Sequence, residues 1–234
     1  MKKTLALLVA ASTATVTLAA ATPALAYDKD AYAYAATHML QSGDLPASLG
    51  DFGSNMSFNA TQDGGKIYLC YIGEKQITAP GGKFSFGGFF IENRKNADVN
   101  SLSQTVTQYS SAQKAISAFE KLTKAAKNCT GTTTQTWADD EDGSTQTSSS
   151  LTTNGKVPMV TEVGVESVFV NQNYLSTSSN NTERYANDTY TVYTLLNDVI
   201  IATAYNTGSL ENIPTKQRKQ INRVAFTAID RWLD

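Results

Sequence analysis

Carboxylates crowd at one point of this 234-residue chain, Asp139-Asp140-Glu141-Asp142, with Gly143 next. Acids bunched on a turn suit a hard cation, since Asp140, Asp142 and Ser144 offer oxygens at alternate positions. An EF-hand loop would need a bidentate Glu at its twelfth position, and that place holds Leu151. A glycosidase pair needs two carboxyls facing each other across a cleft, which one exposed turn does not supply. The expectation is a solvated tip at 139–142, with calcium binding left open and no metal ligand assigned. His38 is the sole histidine and has no partner at ligand spacing, so it is expected on a helix surface or half-buried. The chain contains no G-x-S-x-G elbow, P-loop or H-E-x-x-H, and its Gly-rich turns lack a Lys-Ser/Thr partner. No catalytic residue and no cofactor-binding residue is therefore assigned, and no enzymatic activity is expected.

Two residues remain with covalent chemistry, Cys70 and Cys129. Their compartment follows from the N-terminus. Met1-Lys2-Lys3 is a positive start, Leu5 to Ala21 is an apolar and small-residue stretch, and Ala24-Leu25-Ala26 has the small-x-small form that a signal peptidase cuts. Residues 1–26 read as a signal peptide cleaved after Ala26, and no cysteine stands at the cut to carry a lipid. Ser12, Thr13, Thr15 and Thr17 interrupt the stretch, and no second apolar run of spanning length follows, so no stable membrane anchor is expected. Two cysteines in an exported chain most simply form one disulfide.

Loss of Lys2 and Lys3 with the leader takes the formal net charge from −2 to −4. That balance, with no basic cluster, excludes nucleic acid as the expected partner. Asn55, Asn59, Asn128, Asn180 and Asn187 each open an N-x-Ser/Thr triplet, which Thr/Ser-rich sequences produce by chance.

The elements that must position these residues follow from periodicity. Asp28 to Gln41 reads as a helix, with Tyr32, Ala35, Met39 and Leu40 on one face and Gly43 as its stop. Met56 to Thr61 is a short strand, and Lys66 to Ile72 is a strand expected to be buried. Phe84 to Ile91 is a strand in which Gly87-Gly88 marks a bulge or a close approach to the backbone. Ser103 to Tyr109 is a strand that feeds an amphipathic helix from about Ser111 to Asn128. Ala112, Ala115, Ile116, Phe119, Leu122, Ala125 and Ala126 form the stripe of that helix, and Cys129 extends it.

Thr132 to Trp137 and Ser144 to Thr153 read as a largely exposed hairpin around the acidic tip. Val157 to Val170 alternates like a strand, and Ser176 to Asn181 reads as a polar loop. Tyr190 to Leu196 and Val199 to Tyr205 are two strands joined by Asn197-Asp198. A last helix opens at Pro214 and buries Ile221, Val224, Ala225, Ala228, Ile229 and Trp232. Tyr68, Tyr71, Tyr190, Tyr193 and Tyr205 fall in strands and are mostly expected in the core. Residues 27–234 are expected to be one α+β domain, an antiparallel sheet packed with about three helices.

The connector Leu45-Pro46-Ala47-Ser48-Leu49-Gly50 and the segment Val106 to Ala115 carry a resemblance, as do the helix running to Cys129 and the strand Asn197-Asp198-Val199-Ile200-Ile201 before a closing helix. In these the chain resembles the PknH-like extracellular sensor domains of actinobacteria, which occur on membrane Ser/Thr kinases and as free-standing exported proteins. The resemblance implies a twisted antiparallel sheet, and a cleft between sheet and helices that receives an unidentified ligand. It also implies that Cys70 and Cys129 correspond to the family's strand-to-helix disulfide. Many members carry a second disulfide near the end of the last strand, where this chain has Tyr205-Asn206. The expected role is a non-enzymatic, secreted, cell-envelope or cell-wall-associated binding domain for a small molecule or an envelope component. The rival expectation is a protein partner held on the edge of the Thr/Ser-rich hairpin. A third is a hydrolase with an unfamiliar carboxylate or Ser-based site, favoured if two carboxylates face a cleft.

Overall fold

The computed structural model describes residues 29–52, 57–61, 65–72, 75–92, 100–138, 145–157, 165–179, 184–207 and 213–234. In chain order these form helix α1 (Lys29–His38) and strands β1 (Ser57–Thr61), β2 (Lys66–Ile72), β3 (Lys75–Pro80), β4 (Phe84–Ile91) and β5 (Ser101–Gln108). Helix α2 (Ala112–Ala126) follows, then β6 (Gly131–Ala138), β7 (Thr145–Lys156), β8 (Ser167–Ser178), β9 (Arg184–Leu196), β10 (Val199–Thr207) and α3 (Thr215–Leu233). The segments 1–26 and 139–142, the leader and the acidic tip of the sequence reading, lie outside the described residues.

Eight strands make one antiparallel sheet in the order β1-β4-β5-β10-β9-β8-β7-β6, and β2 and β3 pair apart from it. Its centre is set by Asn197-Asp198. Asn197 takes a left-handed φ of 49°, which asparagine tolerates, so two residues reverse the chain and Leu196 pairs with Val199. From that register β9 and β10 alternate. Tyr190, Val192, Leu196, Val199, Ile201 and Tyr205 face the core under α3, while Tyr193 and Ile200 face the core under α2. Near α2 both faces are covered, so the central strands are apolar on both sides there.

On the first face, α3 lays down Ile221, Val224, Ala225, Ala228, Ile229 and Trp232, the stripe expected from the sequence. The connector is tied there by Tyr205, whose hydroxyl donates to Leu49 O at 3.0 Å and accepts from Gln217 Nε2 at 2.9 Å. On the second face, Ser111 caps α2 by accepting from Lys114 N, and Ala115, Ala118, Phe119, Leu122 and Ala126 are buried. Cys129 bonds Cys70 at a Cα separation of 6.0 Å across a loop of 59 residues. The chain-entropy model credits that closure with about 4 kcal/mol. Among the described residues the fold is thus α+β, with three α-helices and one disulfide from β2 to the end of α2.

Several expectations need correction. α1 ends at His38, and Met39 and Leu40 are buried just beyond it. Gly87 and Gly88 pair in unbroken register with Thr105 and Gln104, so β4 has no bulge there. A Cβ on Gly88 would stand 3.3 Å from Met39 Cε, so the close approach is the correct half of the expectation. The Thr/Ser-rich hairpin is only half exposed. β7 lies inside the sheet between β6 and β8, and Ser148, Ser150 and Thr152 are buried. β8 continues through Ser178, where a loop was expected, because it pairs with β7 along its full length. β3 carries too little pattern to be seen in the sequence.

Candidate functional site: a cleft between β2 and the sheet

β2 was expected to be buried, yet only Leu69 and Cys70 are. Between Tyr68 and Cys70 its pairing with β3 slips by one residue. A bulge of this kind inserts an extra residue and re-aims the side chains around it. Tyr68 and Tyr71 would otherwise point to opposite faces. With the slip both are exposed, at 40% and 46%, and their rings lie 5.2 Å apart.

Opposite β2 the sheet face changes character along its strands. Near α2 it carries Ile200, Val168 and Tyr193, which fill the core. Further along it carries Ser103 and Thr105 on β5, Ala202 and Ala204 on β10, Thr189 and Thr191 on β9, and Gln172 on β8. These are cross-strand neighbours: Ser103 pairs with Ala204, Ala204 with Thr191, and Thr191 with Val170. Small side chains in adjoining strands leave room that no other described element fills. The result is a cleft of about 440 Å³, bounded on its other side by Lys66, Ile67, Tyr68 and Leu69. That volume falls in the range of small-molecule sites, about 300–1,000 Å³. A second cleft of about 240 Å³ lies between Tyr71, Thr133, Gln135, Ser148, Ser150 and Tyr174, and Gln172 lines both.

Three struts hold β2 and β3 in place over the sheet. The Tyr193 hydroxyl donates to Tyr68 O at 2.9 Å, the Tyr109 hydroxyl donates to Pro80 O at 2.8 Å, and the disulfide fixes Cys70. Burial pushes the Tyr193, Tyr109 and Tyr68 phenols well above the usual tyrosine range, and Tyr71 adds to the shift at Tyr68. These hydroxyls stay protonated and act as neutral hydrogen-bonding groups.

Among the described residues the lining contains one charged side chain, Lys66, and no carboxylate or imidazole lines either cleft. His38 lies elsewhere, stacked on Tyr34 with ring centroids 3.6 Å apart and with Nδ1 2.7 Å from Tyr34 O. Among the described residues no three of His, Cys, Asp and Glu cluster as a metal site would require. No described helix is long and apolar enough to cross a membrane.

The cleft departs from the sequence reading in its wall, which is a strand and not a helix: no residue of α1, α2 or α3 lines it. Of the five tyrosines expected mostly in the core, Tyr190, Tyr193 and Tyr205 are buried there, while Tyr68 and Tyr71 are exposed and line the clefts. The slip at Leu69 was the missing signal, since it leaves no mark in composition or spacing.

No known family model matches the chain, and no curated protein does. Among solved structures the chain is similar to the crystal structure of the extracellular domain of PknH from Mycobacterium tuberculosis. The TM-score is 0.46 at 14% identity, over 85% of this chain and 94% of that one. A likeness of that depth does not place the chain in the PknH-like family.

Proposed function

We propose that residues 27–234 form one exported, sensor-type binding domain of the cell envelope, which receives a small molecule or envelope component in the cleft between β2 and the sheet. The observation that carries this reading is the cleft itself. It is wide, lined by side chains that have room to spare, and bounded by a strand that a disulfide and two tyrosine hydroxyls hold in position. The role is binding without turnover, because the described lining residues offer hydroxyls, an amide and one ammonium and no acid–base pair among them. The leader read from residues 1–26 supplies the export, with cleavage after Ala26. The test is retention. Oxidised protein incubated with an envelope extract, washed and denatured should release a small molecule seen by mass spectrometry. The Gln172→Trp variant, with an indole between the two clefts, should release none. Equal recovery from both proteins, or none from either, sinks the proposal.

A second reading has its own observation. β6 is an edge strand of the eight-stranded sheet, and Thr132, Thr134, Gln135 and Thr136 on it are exposed. Such an edge can pair with another chain. Capture of a protein that Thr134→Pro abolishes, with the cleft unaffected, would favour it.

A further inference from the structure

We propose that the cleft takes a neutral oligosaccharide, lying past Tyr68 and Tyr71 with its hydroxyls on Gln172 and the Thr/Ser face of the sheet. This rests on the binding reading above and names its ligand class. A sugar ring has an apolar C–H face and a rim of hydroxyls, so a site for it needs exposed aromatic faces beside many short, neutral hydrogen-bonding groups. Tyr68 and Tyr71 supply two adjacent rings, one on each cleft. A tyrosine ring suits such a surface because it is rigid, apolar in its body and polar at its tip.

The polar groups are placed to match. Thr107 and Ser148 are 3% and 5% exposed and line the first and second cleft respectively. Buried polar groups are nearly always paired, and here a ligand's hydroxyls would pair those that open on the clefts. The face that runs from Thr105 to Gln135 crosses six neighbouring strands, from β5 through β10, β9, β8 and β7 to β6. Five spacings of about 4.8 Å make it roughly 24 Å wide, long enough for an extended chain of sugars.

The charge argues for neutrality. Among the described residues Lys66 is the one ionised side chain lining either cleft, so there a polyanion finds one cation and a polycation finds no carboxylate. A peptide added as a strand to β2 fits less well. The pairing slip at Leu69 breaks that edge, and Tyr68 O already accepts from Tyr193.

The experiment is calorimetric titration of the oxidised protein with cellohexaose, chitohexaose, maltohexaose and xylohexaose, and with hexagalacturonate and palmitate as charged and apolar controls. At least one neutral hexasaccharide should bind with a Kd of about 1 mM or tighter. Tyr71→Ala, at an exposed position, and Gln172→Ala should each weaken it by about tenfold while the melting temperature moves by less than about 2 °C. Binding of none of the four overturns the inference, as does binding that both variants leave unchanged or preference for either control. If the retention experiment meanwhile recovers a ligand that is not a saccharide, the oligosaccharide falls and the cleft stands. If that experiment also recovers nothing, both fall.

Discussion

Removing the disulfide is the perturbation whose size follows most directly from the structure. Cys70 and Cys129 close a loop of 59 residues, so their replacement returns that loop entropy to the unfolded chain. The chain-entropy relation gives about 4 kcal/mol for a loop of this length. Two further struts, Tyr193 to Tyr68 and Tyr109 to Pro80, remain in the variant. They are worth about 1 kcal/mol each, too little to replace the bond. β2 and β3 form only a two-stranded pair, which is marginal without an anchor. The assay is urea unfolding of Cys70→Ala/Cys129→Ala against the oxidised protein. With a slope of about 2 kcal/mol/M the midpoint should fall by about 2 M. Alanines avoid free thiols, so the shift is free of reshuffling. A fall of less than about 0.5 M, or two reactive thiols in oxidised protein, would refute the idea that this bond fastens the wall of the cleft.

Three further outcomes follow. Asp188 is fully buried, accepting from Asn171 Nδ2 at 2.9 Å and from Ile213 N at 2.6 Å. Asp188→Ala strands both donors, so urea unfolding should show a loss of about 4 kcal/mol; a loss below about 1 kcal/mol would mean water replaces the carboxylate. Tyr193→Phe should cost about 1 kcal/mol in the same assay, and no change would show that the bond to Tyr68 O carries no net stability. Tyr68, Tyr109 and Tyr193 all have folded pKa values above the unfolded value of 10.0, so their contribution is complete below that pH and is lost as pH rises past it. The melting temperature should hold at about pH 8 and fall at about pH 11; a melting temperature unchanged at about pH 11 would contradict this.

The sequence made the helices and central strands legible because each has one strong period. The α3 stripe from Ile221 to Trp232 has a spacing of three and four, and Tyr190 to Tyr205 alternates about an Asn-Asp turn. The pairing of Cys70 with Cys129 was legible from the number of cysteines and the expectation of export. The edges were less so. β8 from Asn171 to Ser178 is polar because one of its faces lines the clefts, and a strand facing a cleft has the composition of a loop. Gln172 was missed for the same reason. The Tyr68–Tyr71 pair escaped because strict alternation assigns residues three apart to opposite faces, and only the slip at Leu69 brings them together.

Amide hydrogen exchange of the protein with and without its retained ligand tests the central claim most directly. Protection should rise at Lys66–Ile72 and at residues 170–174, with α1 and α3 unchanged on the opposite face. Protection confined to β6, or spread over α3, would contradict it.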